Sequence, residues 1–229
     1  YQVSMFAWTG TLDYANLVIN NAILRLNYDA WVTSSEIEWK NTTTTHTIAA
    51  IYPATDEDNY QMLSEMTYVS GTDMLYSNVS LTPQAAAVDL EFSHMMSLLE
   101  IELIYSNFDN DDILASSIII SALDNATINY YSGEISTESA SKKDLDLSLE
   151  NNTSLARIMV PQSGINDIVM NIDGKQYVYS GDDIDLLAGH YTKCTFTINK
   201  HFYDISLGEV SVTPWSKDSG SDFDFTVEE

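Results

Sequence analysis

Histidine and cysteine are the side chains that most often bind metals or act as nucleophiles, and this chain has few of them. The four histidines are His46, His94, His190 and His201, and the single cysteine is Cys194. No His-x-x-x-His or Cys-x-x-Cys spacing joins them, whereas a zinc site needs such ligands close together. Cys194 has no partner for an internal disulfide and lies in an alternating, strand-like run. The sequence therefore predicts no metal site and no cofactor.

Acidic side chains are abundant, but their spacing does not predict a catalytic site. Asp109, Asp111 and Asp112 resemble part of a Ca²⁺-binding loop, yet the glycine and bidentate glutamate of an EF-hand are missing. No Gly-x-Ser-x-Gly or Gly-x-Gly-x-x-Gly motif occurs, which argues against α/β-hydrolases and dinucleotide enzymes. Acidic pairs are too common to single out a glycosidase dyad. We predict a protein that is not an enzyme; an enzyme accessory domain would need a metal or a paired-carboxylate cleft.

The composition excludes several classes of partner. The 229 residues include 34 acidic and 9 basic side chains, so the net charge is -25. A surface this negative repels phosphate backbones and anionic lipid headgroups, and nucleic acid is therefore not expected as a ligand. Four tryptophans and fourteen tyrosines are present, and they could either fill a core or form a platform for sugars.

Strand signals dominate the elements that would position these residues. Residues 1–8, 22–28, 87–92 and 99–104 alternate between apolar and polar side chains, as antiparallel strands with one wet face do. Residues 45–52 are a further predicted strand, which stops at Pro53. Asp173-Gly174 lies between two further runs and predicts a hairpin with a type I′ turn. Many short strands with frequent turns predict an all-β protein built from β-sandwiches.

The chain is long enough for two domains. Turn-forming residues at 107–112 break the strand pattern, and the domain boundary is predicted there. Residues 1–108 would form an N-terminal β-sandwich and residues 109–229 a C-terminal one, with an acidic tail from about residue 216.

Two further features are candidates for assembly and processing. In the tail, Phe223, Phe225 and Val227 alternate with polar residues, so this segment is either a strand that pairs with another sheet or a solvated terminus. Arg25 and Arg157 lie in apolar runs, where each is either an outward-facing charge or a cleavage point for an arginine-specific protease. Arg25 is the preferred candidate because it lies nearer the start.

Several segments together resemble the fimbrillin family of Bacteroidales, which comprises Mfa-like and other fimbrillin-like surface lipoproteins, the subunits of type V pili. The matching segments keep the family's order: Trp39, residues 48–53 (IAAIYP), 88–94 (VDLEFSH), 160–162 (VPQ), 187–191 (LAGHY) and 210–215 (VSVTPW).

The resemblance implies two tandem transthyretin-like β-sandwich domains. It also implies a lipoprotein exported to the outer membrane, with its lipid anchor on a precursor segment that is not present here. Proteolysis would remove an N-terminal strand, and a strand from a neighbouring subunit would fill the groove. The tail residues Phe223, Phe225 and Val227 are the candidate donor strand.

The expected function is therefore that of a structural, tip or adhesive subunit of a fimbria at the cell surface, whose partners are other fimbrial subunits. The alternative is a monomeric surface module that binds a glycan or a host protein through exposed aromatic side chains.

Overall fold

The computed structural model describes residues 1–27, 30–33, 37–83, 88–109, 115–147, 149 and 153–215. The described strands, in chain order, are β1 (Gln2–Thr9), β2 (Leu17–Asn27), β3 (Ala30–Thr33), β4 (His46–Tyr52), β5 (Met66–Val69), β6 (Leu75–Leu81), β7 (Ser93–His94), β8 (Ser97–Ser106), β9 (Ala115–Leu123), β10 (Asn125–Asn129), β11 (Glu134–Ser136), β12 (Lys142–Leu147), β13 (Ser154–Met159), β14 (Gln162–Ile165), β15 (Ile168–Ile172), β16 (Lys175–Tyr179), β17 (Ile184–Leu186), β18 (His190–Asn199) and β19 (Asp204–Pro214). The described helical segments are a 3₁₀ turn at Tyr14–Asn16 and α1 at Tyr60–Leu63. The all-β class is confirmed.

The chain divides into two compact units. Unit 1 contains residues 1–95 and 125–140, and unit 2 contains residues 96–124 and 141–229. These contact-based units differ from the sequence-based division at 108/109, because β8 belongs to unit 2 and β10 pairs with β5 in unit 1. The boundary at 108/109, and the transthyretin-like character of each domain, stay predictions.

Unit 1 is built around a six-stranded antiparallel sheet with the order β3-β2-β1-β4-β6-β7. A second sheet of three strands has the order β11-β10-β5. Phe6 of β1 contacts the ring of Tyr131, which follows β10, with 4.7 Å between the ring centroids. This contact shows that the two sheets of unit 1 share one apolar layer.

Unit 2 contains two four-stranded sheets, with the orders β12-β9-β15-β16 and β13-β8-β18-β19, and a short β14-β17 pair. One buried cluster draws side chains from both four-stranded sheets, including Ile118 and Ile120 of β9 and Phe196 of β18. The Tyr179 and Phe196 rings meet edge to face at 5.2 Å. Unit 2 is therefore a β-sandwich whose two four-stranded sheets share an apolar core.

The hairpin predicted from Asp173-Gly174 is confirmed. β15 pairs with β16 in register, and both turn residues have positive φ angles, 49° at Asp173 and 70° at Gly174. A type I′ turn requires this at both central positions, and Asp-Gly tolerates it well. The sequence signal was strong because turn chemistry is local.

One strand pair of unit 2 is parallel, and Gly189 joins the first residue of the unit to the last described residue of the chain. β8 and β18 run parallel from Leu98↔Tyr191 to Ser106↔Asn199. The Gly189 N–H donates to the Met96 carbonyl at 2.9 Å, and the Trp215 N–H donates to the Gly189 carbonyl at 2.8 Å. Gly189 has a φ of 66°, which a residue with a side chain rarely adopts.

Candidate functional site: an apolar groove on unit 1

β1 is buried on both of its faces, which is unusual for a strand of an antiparallel sheet. Its side chains alternate between the two faces, so Phe6 packs toward the aromatic layer while Val3, Met5 and Ala7 point the other way. Val3, Met5 and Ala7 are nevertheless at most 8% exposed. A second group of apolar side chains must therefore lie over this face.

A groove of about 510 Å³ occupies this second face. Its walls are almost entirely apolar, and Glu38, His46 and Asp89 are the ionisable exceptions. The lining residues are Val3, Met5, Ala7, Val18, Ile19, Leu24, Trp31, Ile37, Glu38, Trp39, His46, Ile48, Val88, Asp89, Leu90 and Phe92. Such a cavity suits apolar side chains and offers little to a charged ligand.

One wall of the groove is formed by residues 88–92, here called the rim segment. Val88, Leu90 and Phe92 are half-buried and line the groove, while Glu91 is exposed and does not. The sequence predicted a strand here because these residues alternate, yet within the described chain the rim segment belongs to no strand. Alternating apolar and polar side chains indicate an extended segment with one buried and one exposed face. A β-strand additionally needs a neighbouring strand with which to form hydrogen bonds.

His46 has a structural place in the wall. Its side chain is fully buried, Nδ1 donates to the Thr44 carbonyl at 2.9 Å, and Nε2 accepts from the Lys40 N–H at 3.3 Å. These two bonds define a neutral tautomer that uses both ring nitrogens. The imidazole also meets the Trp39 ring edge to face at 5.0 Å. His46 thus holds Trp39 against the groove.

The other residues considered for metal or nucleophile chemistry are dispersed. His94 pairs with Asp73 at 3.0 Å, His190 bonds the Ala188 carbonyl, and His201 is exposed in a turn. Among the described residues, no three His, Cys, Asp or Glu side chains lie close enough to hold a metal ion. Cys194 is fully buried, and this burial raises the pKa of its thiol to about 12. A thiol so rarely ionised is a poor nucleophile.

The structure describes the candidate processing residue but not the candidate donor residues. Arg25 lies in β2 with an exposed side chain, and its backbone pairs with Gln2 of β1 and Val32 of β3. Cleavage after Arg25 stays a prediction. Phe223, Phe225 and Val227 lie outside the described residues, so the donor strand also stays a prediction.

The resemblance implied a groove that a neighbour's strand would fill, but sequence reasoning did not identify the residues that line the groove on unit 1. The wet face predicted for residues 1–8 is wrong, because residues 3–9 are all buried. A signal for this was present: residues 3–8 (VSMFAW) carry apolar side chains at both odd and even positions, which indicates a strand buried on both faces. The contributions of Trp39 and the rim segment could not be inferred this way, because both come from segments outside the regular strands.

The comparisons with known proteins agree with this architecture. The family model described as fimbrillin-like matches residues 1–215, and the chain therefore belongs to the fimbrillin-like family. The resemblance predicted from the sequence is confirmed. A comparison with curated proteins gives no match.

Solved structures share the fold at low sequence identity. A candidate cell adhesion protein from Bacteroides uniformis superposes with a TM-score of 0.71 at 14% identity, over 94% of this chain and 91% of that one. A candidate cell adhesion protein from Bacteroides ovatus gives 0.67 at 16% identity, over 94% and 87% of the two chains. A fimbrial protein from Bacteroides vulgatus gives 0.57 at 13% identity, over 93% of each chain. None of the helices in the described part of the chain is long and apolar enough to cross a membrane.

Proposed function

We propose that this chain is a non-enzymatic structural or adhesive subunit of a cell-surface fimbria, and that it joins its neighbours by β-strand exchange. Membership in the fimbrillin-like family supports the fimbrial role. The apolar groove on unit 1 is the observation that carries the assembly mechanism, because it is large and apolar enough to take a row of side chains from another subunit.

The energetics of such a joint are favourable. Each apolar side chain that enters the groove contributes roughly 1.5–3 kcal/mol by leaving water. Ordering the backbone of a short segment costs about 1–2 kcal/mol per residue. Three or four buried side chains do not outweigh this cost alone, but they do when main-chain hydrogen bonds form as well. The incoming segment must therefore pair as a strand and not merely dock its side chains.

The rim segment is the edge that we propose for this pairing. It alternates as a strand does, its apolar side chains already face the groove, and it belongs to no described sheet. An extended chain laid beside residues 88–92 would gain ladder hydrogen bonds along the rim while its alternate side chains enter the groove.

The donor in this proposal is the tail of a neighbouring subunit. Phe223, Phe225 and Val227 recur at every second position, so all three would point into the groove from one strand. The intervening residues are polar or acidic and would face water.

Export and maturation complete the proposal. The chain would reach the outer-membrane surface as a lipoprotein, anchored through a precursor segment. Cleavage after Arg25 would release β1 and most of β2 from the six-stranded sheet, and with them the groove wall formed by Val3, Met5 and Ala7. The edge of β4 would then be open to the incoming strand beside the rest of the groove.

The first test is the behaviour of surface material in SDS. Protein sheared from the cells that make it should run as a ladder of oligomers without boiling and as a monomer after boiling, because strand-exchanged joints are stable but not covalent. Deleting residues 216–229 should abolish the ladder. A ladder that survives the deletion would refute the tail as donor, and a single monomer band in both lanes would refute the polymer.

Two variants of the rim segment give a matched comparison. Leu90→Asn places an amide in the groove and should reduce the oligomer ladder strongly, whereas Glu91→Asn changes a side chain that faces away and should leave it intact. Equal ladders from both variants would contradict the groove as the acceptor.

The second candidate function is a monomeric surface module that binds a glycan or a host protein. It is favoured by aromatic side chains that remain exposed on unit 2, among them Phe202 and Tyr203.

A further inference from the structure

Five side chains define a site at one end of unit 2, here called the aromatic end: Phe108, Lys175, Tyr177, Phe202 and Tyr203. Phe108 is half-buried and Tyr177 is buried, whereas the other two rings are open to solvent. Phe202 is 79% exposed and Tyr203 is 61% exposed. Aromatic side chains usually bury most of their surface, and two neighbouring rings this open suggest a surface that a ligand covers.

Three of the rings at the aromatic end, those of Phe108, Tyr177 and Tyr203, lie close to one another. Tyr177 and Tyr203 stack with 6.5 Å between centroids and 28° between planes, and Phe108 lies 6.4 Å from Tyr177. The Lys175 Nζ donates to the Tyr203 hydroxyl at 3.1 Å and lies 4.7 Å from the centre of its ring. A polar donor therefore lies directly beside the exposed aromatic faces.

The backbone turn that carries Phe202 and Tyr203 is hydrogen-bonded and has one residue in an unusual conformation. The turn between β18 and β19 is closed by Asn199, whose Oδ1 accepts from the N–H groups of His201 and Phe202 at 3.0 and 3.3 Å. Tyr203 has a φ of 50°, in the left-handed region that bulky residues avoid. Such a conformation is energetically unfavourable and is commonest at functional sites. Glycine or asparagine would fit the turn better, so the tyrosine is kept at an energetic cost.

We propose that the aromatic end binds a neutral saccharide. The flat faces of Phe202 and Tyr203 would stack against the C–H face of a sugar ring, and Lys175 would donate to its hydroxyl oxygens. The donor is next to the rings, which suits a ligand with both apolar and hydroxyl surfaces. Lys175 and Lys200, whose Nζ lies 5.7 Å from the centre of the Phe108 ring, make the site locally basic, but the chain's net charge of -25 disfavours the approach of anionic glycans. This site does not depend on strand exchange.

A glycan array probed with the full chain tests the proposal. The array would hold neutral oligosaccharides of glucose, galactose, mannose and N-acetylglucosamine, with sialylated counterparts as a second set. We expect binding to members of the neutral set. Absence of binding to the neutral set, including binding to the sialylated set alone, would overturn the proposal.

Variants then locate the site. Phe202→Ala combined with Tyr203→Gly removes both exposed rings and also relieves the strained φ, so the fold should be kept and affinity should fall at least about tenfold. Tyr14→Ala removes a tyrosine that is 68% exposed on unit 1 and is the matched control, with affinity expected within about twofold of the parent. Unchanged affinity in the double variant would overturn the site.

A third variant leaves the rings in place. Lys175→Met keeps the aliphatic stem but removes the donor, and it should weaken sugar binding about threefold to tenfold. If Lys175→Met and the double variant both change the oligomer ladder and leave sugar binding as it was, the aromatic end is a contact between subunits and the saccharide proposal is wrong.

Discussion

Lys193 is shared by two carboxylates on the solvent face of the parallel β8–β18 pair. Its Nζ lies 2.9 Å from Glu100 Oε1 and 3.0 Å from Glu102 Oε2, and the Tyr191 hydroxyl donates to the other oxygen of Glu100. The hydrogen bonds to Glu100 and Glu102 raise the pKa of Lys193. In a chain of net charge -25, this lysine of β18 offsets the repulsion between two carboxylates of β8.

Replacing Lys193 should therefore destabilise unit 2 more than replacing an ordinary surface lysine. Because Lys193 is 37% exposed, screening reduces the effect, and we expect Lys193→Ala to lower the free energy of unfolding by about 1 kcal/mol. Lys143 is 54% exposed, has a single partner in Asp124, and is the control, with a loss of at most about 0.5 kcal/mol. Urea unfolding of both variants checks this, and equal losses would show that the second carboxylate adds nothing.

At the scale of the element, the position of Arg25 limits how a protease could act on it. A protease binds its substrate as an extended chain, but Arg25 is already paired with strands on both sides. Cleavage at this bond therefore requires β2 to separate from its sheet.

We expect an arginine-specific protease to cut after Arg25 slowly in the folded chain and faster in urea below the unfolding midpoint. Mass spectrometry of the fragments measures the rate. Arg157 in β13 is the internal comparison, because β13 pairs on one side only and lies at the edge of its sheet. Rapid cleavage after Arg25 without urea would show that β2 opens readily.

The elements also show how far the sequence could predict this fold. Alternation located β1, β4 and the β15–β16 hairpin, because side-chain periodicity and turn chemistry are local properties. It could not show that residues 88–92 belong to no strand in the described part of the chain, or that β8 pairs in parallel with β18 across more than eighty residues of intervening sequence. Likewise, the double burial of β1 could be inferred from its sequence, while the groove depends on segments that come together only in the folded unit.

At the scale of the whole molecule, buried phenols and the buried thiol make the protein sensitive to alkali. Burial raises the pKa of Tyr105 from its ordinary value of 10.0 to about 12, and it raises the pKa values of Tyr131 and Tyr191 in the same direction. A group whose pKa is higher in the folded chain than in the unfolded chain stabilises the folded state at pH values below its unfolded-state pKa. That contribution is lost as the pH rises through its folded-state pKa.

Stability should therefore be level as the pH rises to about 9 and fall steeply between pH 10 and pH 12, as Cys194 and the buried tyrosines ionise in the unfolded chain. Urea unfolding across this pH range, together with tyrosinate absorbance, measures the effect. Ionisation of all the tyrosines near pH 10 without any loss of stability would contradict the burial of these side chains.

Gly189 has a consequence for how unit 2 would carry mechanical load. Its two backbone hydrogen bonds place Met96, the first residue of unit 2, and Trp215, the last described residue, at the same end of the sheet. A pull between those two residues would act first on these two bonds and then open the ladders one hydrogen bond at a time. Unit 2 would yield to such a pull by unzipping at this end and not by shearing of the whole β8–β18 ladder.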